Sequence, residues 1–392
     1  MKSSKYILPI IVISQFCCTS LWFAGNGVMP NLIENFNLND ASIGYLTSAV
    51  QFGFISGTFI FALFTIADRF SPSKVFFISA ILGATFNLMC VLDNQTLVSL
   101  MSLRFLTGFF LAGIYPVGMK IATDYYDKGL GKSLGYLVGA LVLGTALPHL
   151  LKDLFTNSSW KHVLIATSLL SIFGGLLLLI FVKDGPFSTK STGFNVSSCF
   201  NVFKNIEFRK ASFGYFGHMW ELYTFWTFVP VLLLMYQKLH IDVVFNIPLL
   251  SFAIIGFGSI SCILSGYISE KLGVKKIAFL FLLLSCLCCL LSPLMFYQPN
   301  KTLFISFLVF WGMVVIADSP LFSTLVAKNA PPKNKGTALT IVNCIGFAIT
   351  IISIQLLTTL QVSSNSSFIF MILAIGPIFG LLSLTKNKKR KS

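Results

Sequence analysis

Acidic residues are scarce in this chain: 13 of its 392 residues are Asp or Glu, and charged residues of both signs make up only 10%. Soluble domains carry roughly a quarter charged residues, so a soluble globular protein is excluded. Hydrophobic residues reach 55% and the mean hydropathy is +0.84. Lipid can solvate that much apolar surface, whereas a single aqueous core could not hide it. The nine cysteines are scattered, without the spacing of a disulfide framework. Cys286, Cys288 and Cys289 cluster in a featureless apolar run and read as small core or lipid-facing hydrophobes rather than a metal site. No nucleophile–base or metal constellation is present, which argues against an enzyme and implies no cofactor.

The remaining charge is lopsided, with 28 Lys and Arg giving a formal net charge of +15. In a soluble protein that excess would point to nucleic acid. Here the positive residues sort by loop. With a cytoplasmic amino terminus, 23 of the 28 fall in cytoplasmic segments, four (Lys152, Lys161, Lys238 and Lys301) fall on the other side, and Arg104 lies within a span. That is the positive-inside rule, and it orients the chain. No basic stripe with interleaved aromatics occurs in a soluble segment, so nucleic acid is not an expected partner.

Lys2 and Lys5 precede an apolar run from Tyr6 to Val28. It is too long for a signal-peptide core and reads as a retained first span. Runs at 43–65, 75–92, 97–119, 134–151 and 163–182 complete six spans. The polar interval 183–210, with Gly185, Pro186, a Ser/Thr-rich patch and five basic residues, reads as a cytoplasmic linker. Six more runs follow at 211–235, 247–268, 277–296, 303–326, 336–360 and 368–384, and a basic tail, Lys386 to Ser392, closes the chain. The expected fold is an all-α integral membrane protein of twelve transmembrane helices. A six-helix bundle over 1–182 and a second over 211–392 flank the linker, with both termini cytoplasmic.

The two sets are related. Thr19–Phe23 (TSLWF) precedes Tyr223–Thr227 (YTFWT) by 204 positions, and Gly108–Pro116 (GFFLAGIYP) precedes Gly312–Pro320 (GMVVIADSP) by the same 204. The loop Ala67–Lys74 (ADRFSPSK) matches Ser269–Lys276 (SEKLGVKK) at an offset of 202. Corresponding spans at a shared offset indicate a duplicated six-helix unit, an arrangement that transporters use to build a midplane site between halves.

At these loops the chain resembles the major facilitator superfamily over essentially its whole length. The family's loop signature between helices 2 and 3 is nearly complete in the second copy, as Gly266, Glu270, Lys271, Gly273, Lys275 and Lys276. The first copy keeps Asp68, Arg69 and Lys74, with Phe64 and Ser71 where glycines are expected. The resemblance implies a gating latch here. Arg104, Gly108 and Gly113 look like the family's fourth-helix signature, associated with proton coupling. Gly135, Gly139 and Gly144 match its antiporter signature only in part, because the Gly-Pro pair is missing. The chain is similar to a bacterial branch carrying GHMWELY in helix 7 (Gly217–Tyr223), ADSP in helix 10 (Ala317–Pro320) and GTALT in helix 11. That branch implies a multi-pass protein of the bacterial inner membrane, and a monomer.

His218 and Glu221 stand in the middle of an apolar run, where a charge is rarely without a task. At about 100° per residue, Gly214, His218, Glu221 and Phe225 share one face, and the two titratable groups are i, i+3 neighbours. The same wheel puts Gln15, Trp22 and Asn26 on one stripe of helix 1, Arg104 and Tyr115 on one of helix 4, Trp311 and Asp318 on one of helix 10, and Asn343 on the inner face of helix 11. An aromatic wall with few charges suits an organic solute. Glu221 and His218 can exchange a proton as the cavity changes sides, or they form a fixed structural pair. Arg104 holds an anionic group of the substrate, counters a carboxylate, or snorkels to the interface. Asp318, before Pro320, serves a helix kink and latch or touches substrate.

The expected function is proton-coupled transport of a small organic, anionic metabolite or chelate by alternating access, with protons and the lipid bilayer as the other partners. An exporter of amphiphilic compounds is the alternative, and a non-transporting membrane sensor or scaffold is the alternative from another class.

Overall fold

The structure, a computed structural model, describes residues 6–126, 130–186, 201–331, 335–364 and 366–385. The middle of the expected linker and the basic tail lie outside the described residues. All regular elements among the described residues are helices. Eleven are long and apolar enough to span a membrane: α2 (Ser42–Leu63), α3 (Pro72–Met89), α4 (Leu97–Tyr125), α5 (Ser133–Leu154), α6 (Lys161–Phe181), α7 (Ile206–Leu239), α8 (Ile247–Leu272), α9 (Val274–Phe296), α10 (Lys301–Asn329), α11 (Gly336–Ser363) and α12 (Ser367–Thr385). The shorter apolar α1 (Ile7–Thr19) precedes them. Large apolar side chains such as Phe52, Ile78, Leu169, Ile180 and Leu382 face outward, as lipid contact demands of a spanning bundle.

Two of the boundaries that differ from the sequence reading bear on the centre of the protein. The first span was expected to run unbroken to Val28, but its regular helix ends at Thr19 and resumes as two short pieces, Ala24–Gly27 and Met29–Asn35. Hydroxyls compete for the backbone at the break: Thr19 Oγ1 donates to the Gln15 carbonyl at 2.8 Å and Ser20 Oγ to the Cys17 carbonyl at 2.7 Å. The seventh span begins five residues earlier than expected and is 34 residues long. Asn205 caps it, its Oδ1 accepting from the amides of Glu207 and Phe208 at 3.0 and 3.2 Å. A Lys210–Glu207 bridge at 2.8 Å carries its polar first turns beyond the apolar zone.

The duplication persists in the packing. Gly108 on α4 lies directly against the Val50 carbonyl on α2, and Gly312 on α10 lies against the Ile254 carbonyl on α8. Both residues of the second pair sit 204 positions after those of the first. Gly57 approaches the Phe109 carbonyl, and its counterpart Ser261 donates to the Met313 carbonyl at 2.6 Å, again in register. α4 and α10 also break at matching points, Ala112–Ile114 and Asp318. The two halves meet along α5 with α8 and along α2 with α11. Tyr136 and Tyr267 share a 3.2 Å hydroxyl contact, Asn246 donates to Asp153 at 2.6 Å, and Gln355 donates to Ser48 at 2.8 Å.

A Cβ at Gly108 or Gly312 would overlap a backbone carbonyl. Gly108→Ala and Gly312→Ala are therefore each expected to cost about 1–3 kcal/mol of overpacking. Scanning fluorimetry in detergent should show both melting earlier than wild type, while Gly336→Ala, at a position with open space around it, stays unchanged.

Candidate functional site

The break in α1 is held by α4. Arg104, only 2% exposed, donates through Nη2 to the Leu21 and Trp22 carbonyls at 2.9 and 2.7 Å and through Nη1 to Asn87 Oδ1 on α3 at 2.9 Å. Gly25 leaves room for the guanidinium beside the chain. Asn87 is fixed in turn, its Nδ2 donating to the Leu164 carbonyl, Thr167 Oγ1 and Ser168 Oγ of α6 at 3.0 to 3.2 Å. Arg104 thus neither snorkels nor faces a carboxylate. It supplies the donors that a broken helix lacks.

The break turns Trp22 into the midplane between the halves. Its ring lies 4.8 Å from Phe54 of α2, 5.6 Å from Tyr223 of α7 and 5.7 Å from Phe347 of α11, the last two stacked. Phe23 meets Trp226 edge-on at 6.2 Å, and Tyr223 meets Trp226 at 5.3 Å. This aromatic box draws on both halves. Asn26, above it, donates to Thr47 of α2 at 2.8 Å. Tyr115 stands where α4 resumes, packed half-buried against the core, and Asn343 lies half-buried one turn before Phe347. Gln15 is buried two turns below Trp22, its Oε1 against Gly118.

The charged groups of α7 separate rather than pair. His218 Nδ1 lies 2.8 Å from Asp318 Oδ1, with 1% and 0% of the two side chains exposed. Glu221 Oε1 instead accepts from Ser285 Oγ of α9 at 2.5 Å, Trp311 Nε1 of α10 at 2.6 Å and Cys289 Sγ of α9 at 3.2 Å. Phe225 packs on Trp311 at 4.6 Å. The face that carries His218, Glu221 and Phe225 therefore meets α9 and α10 inside the second half, and Tyr223 and Trp226 face the other half. Asp318 sits buried at the break of α10, just before Pro320. Cys286, Cys288 and Cys289 are all buried, none facing lipid, and Cys289 has a carboxylate beside it.

At the expected latch, Asp68 lies 3.3 Å from Lys120, which also reaches Asp124 at 3.1 Å. Lys120 is the base that the sequence reading missed. Arg69 donates to Thr65 Oγ1 at 3.1 Å rather than to an acid. Ser71 donates to Asp184 at 2.7 Å, which ties the start of the linker to this corner. Lys74 is exposed. In the second copy Gly266 is buried in α8 and Gly273, at φ +93°, ends it, whereas Glu270, Lys271 and Lys276 are exposed and form no ion pair among the described residues. The two copies of the loop signature thus differ in their ion pairing.

Replacing Arg104 orphans two carbonyls and Asn87, at about 1–3 kcal/mol for each buried group left unpaired. Arg104→Met and Arg104→Lys should both melt earlier in detergent, and Lys should rescue little because one ammonium cannot span both sides of the fork. For the second half, a double-mutant cycle of His218→Gln and Asp318→Asn should show coupling: each single change leaves a buried partner, at about 3–5 kcal/mol, and the double variant loses less than their sum.

Comparison with known proteins agrees with this architecture. A segment of 185 residues is 25% identical to a transporter described as uncharacterized, YgaY, in Escherichia coli K12 and in E. coli O157:H7, covering 45% of this chain and 45% of the relative. The match thus spans less than half the length of those curated relatives. Among solved structures, a point mutant of the nucleoside transporter NupG superposes with a TM-score of 0.72 at 16% identity, over 97% of this chain and all of that one. A bacterial homologue of the human lysosomal transporter Spinster, in an inward-facing, unoccupied conformation, gives 0.68 at 16% identity over 97% and 94%. At that identity the likeness concerns the fold. The Major Facilitator Superfamily model matches residues 11–354, a stretch that runs from the first span into the eleventh. This chain belongs to the Major Facilitator Superfamily and is a multi-pass membrane protein.

Proposed function

We propose that this chain is a proton-coupled secondary transporter of a small organic metabolite, working by alternating access across a bacterial inner membrane. The observation that carries the reading is the setting of Glu221: a buried carboxyl that shares one oxygen among three donors on two other helices. A movement that draws α10 from α7 removes the Trp311 donor and alters how well the site holds a negative charge. Proton binding and helix position are then linked through one free energy. His218 and Asp318 couple the same two helices at the α10 break, one residue from Ser319 and two from Pro320. The solute itself belongs in the aromatic box, where rings from both halves give it stacking surface. The expectation of an anionic solute rested on Arg104, whose guanidinium is committed to α1 and Asn87; the proposal retains the organic solute and drops the sign of its charge.

One observation favours the exporter reading. A groove of about 670 Å³ opens to the lipid side between α2, α4 and α11, lined among others by Tyr45, Phe52, Met101 and Phe105. Such a groove would admit amphiphiles laterally. Protection of an overexpressing strain from amphiphilic drugs, lost in Trp22→Ala, would favour export over uptake.

Proton coupling is tested in proteoliposomes loaded with a pH-sensitive dye, using solutes that raise the melting temperature of the purified protein in a metabolite screen. The wild type should acidify or alkalinise the lumen when such a solute is added. Glu221→Gln should abolish that proton flux, by about tenfold or more, while solute counterflow persists. Wild-type uptake indifferent to a pH gradient overturns the coupling.

A further inference from the structure

Beyond the rings and the charged groups, the midplane holds an amide with no partner among the described residues. Gln51 of α2 is 0% exposed, and neither its Oε1 nor its Nε2 has a hydrogen-bond partner among the described residues. Its place is fixed from both sides. Thr47, one turn away, bonds Asn26, and Phe54, one turn the other way, packs on Trp22. Thr47, Gln51, Phe54 and Thr58 recur at the spacing of one helix face, so Gln51 belongs to the face that α2 turns towards the broken part of α1. The indole N–H groups of Trp22 and Trp226 in the adjoining box are also buried without partners among the described residues.

An unpaired buried amide lowers stability, so a native protein that keeps one has a use for it. Packing does not require it. The position 204 residues later, equivalent by the repeat, is Ile255, and it is equally buried. The scaffold closes there with an aliphatic side chain. The glutamine is therefore an addition to the repeat, on the α2 face that carries Phe54 against Trp22.

We infer that Gln51, with the indole N–H groups of Trp22 and Trp226, forms the hydrogen-bonding edge of the solute site, and that the site takes a planar nitrogen heterocycle whose rim carries adjacent donor and acceptor groups. The inference rests on reading the aromatic box as the solute site. Its chemistry follows from the groups present. Stacked rings select a flat solute of tolerant identity. A glutamine amide offers one acceptor and two donors, and pairs in two-point fashion with a donor–acceptor edge such as that of a cyclic amide. Two further indole donors call for additional acceptors on the same rim. A solute built this way satisfies Gln51 and both indoles at once, whereas a purely aliphatic one leaves the amide unpaired and is rejected for that reason.

The test uses the full chain in lipid nanodiscs, titrated with uracil and with 1,3-dimethyluracil. These two probes share ring and stacking face, and methylation removes the N–H donors from the rim. Binding is read by quenching of tryptophan fluorescence and by the shift in melting temperature. The wild type should prefer uracil by about tenfold, the worth of one well-made bond to a buried amide. Gln51→Leu should remove most of that preference while leaving the melting temperature of the free protein unchanged or raised, because it deletes an unpaired polar group. Trp226→Phe, which keeps a ring and loses one donor, should weaken uracil and dimethyluracil alike, because both probes keep the carbonyl acceptors that an indole N–H would meet.

Absence of uracil binding, equal binding of both probes by the wild type, or a Gln51→Leu protein that retains the preference each overturns the inference. If Gln51→Leu does not fold, Gln51→Met, of similar length, replaces it; a loss of free-protein stability in both shows that the amide serves the fold and overturns the inference too. Equilibrium binding does not involve proton movement. Selective uracil binding without solute-evoked proton flux would sink the coupling and spare this inference, and proton flux driven by a solute without such a rim, with no uracil binding, would do the reverse.

Discussion

Inside a bilayer every backbone carbonyl needs a partner, and the centre of this protein depends on how that demand is met where α1 breaks. Without the Arg104 guanidinium at the Leu21 and Trp22 carbonyls, an uninterrupted helix would be the lower-energy path for residues 20–23, and Trp22 would not be presented to Tyr223 and Phe347. The arginine is itself tolerable there only because the carbonyls and Asn87 surround it with acceptors. Asn87 reaches α6 with its other end, so one hydrogen-bonded chain crosses α1, α4, α3 and α6. The first half is organised around a break that it must keep satisfied.

The second half solves a different problem with the same scaffold. At the repeat offset, Arg104 corresponds to Leu308, Asp318 to Ile114, His218 to Ser14 and Glu221 to Cys17. Each of these four corresponds to an uncharged residue in the other half. The break shared by α4 and α10 is bridged by an acid only in α10, where Asp318 meets His218. Duplication thus provides the helices and their glycine contacts, and the ionisable chemistry is layered on each copy separately. In a symmetric pair both halves would be built alike; of these four groups, the two carboxyls, Glu221 and Asp318, belong to the second half.

What was legible in the sequence follows from the same physics. A charge in an apolar run stands out against its background, so Arg104, His218, Glu221 and Asp318 could be picked out, as could the spans and their repeat. Their partners could not. Ser285, Cys289 and Asn87 belong to residue types that occur throughout the spans, and periodicity tells which face a residue takes without telling which helix lies opposite. His218 and Glu221 are neighbours on α7, and that adjacency misled: their shared face meets two helices, and each side chain finds its partner across the gap. Helix limits moved for local reasons that apolar runs do not register, the Asn205 cap extending α7 and the hydroxyls of Thr19 and Ser20 interrupting α1.

Contacts within and between the halves differ in closeness, and the difference bears on how such a protein can move. Within each half, glycines bring backbone against backbone, as at Gly108 with Val50 and Gly312 with Ile254, and such contacts tolerate little sliding. Between halves the glycine approaches are looser, as at Gly135 with the Cys262 carbonyl and Gly139 with that of Ser259, and much of the contact is made by side chains: a pair of tyrosine hydroxyls, the amides of Asn246 and Gln355, and the ring stacks around Trp22. Side chains can exchange one partner for another at modest cost, whereas packed backbones cannot. Opening is therefore expected to separate two rigid bundles along the aromatic box, which must unstack as they part. A flat solute lying in the box would replace the stacking that each half loses. Occupancy would then lower the cost of the transition itself, which a binding site confined to one half could not do.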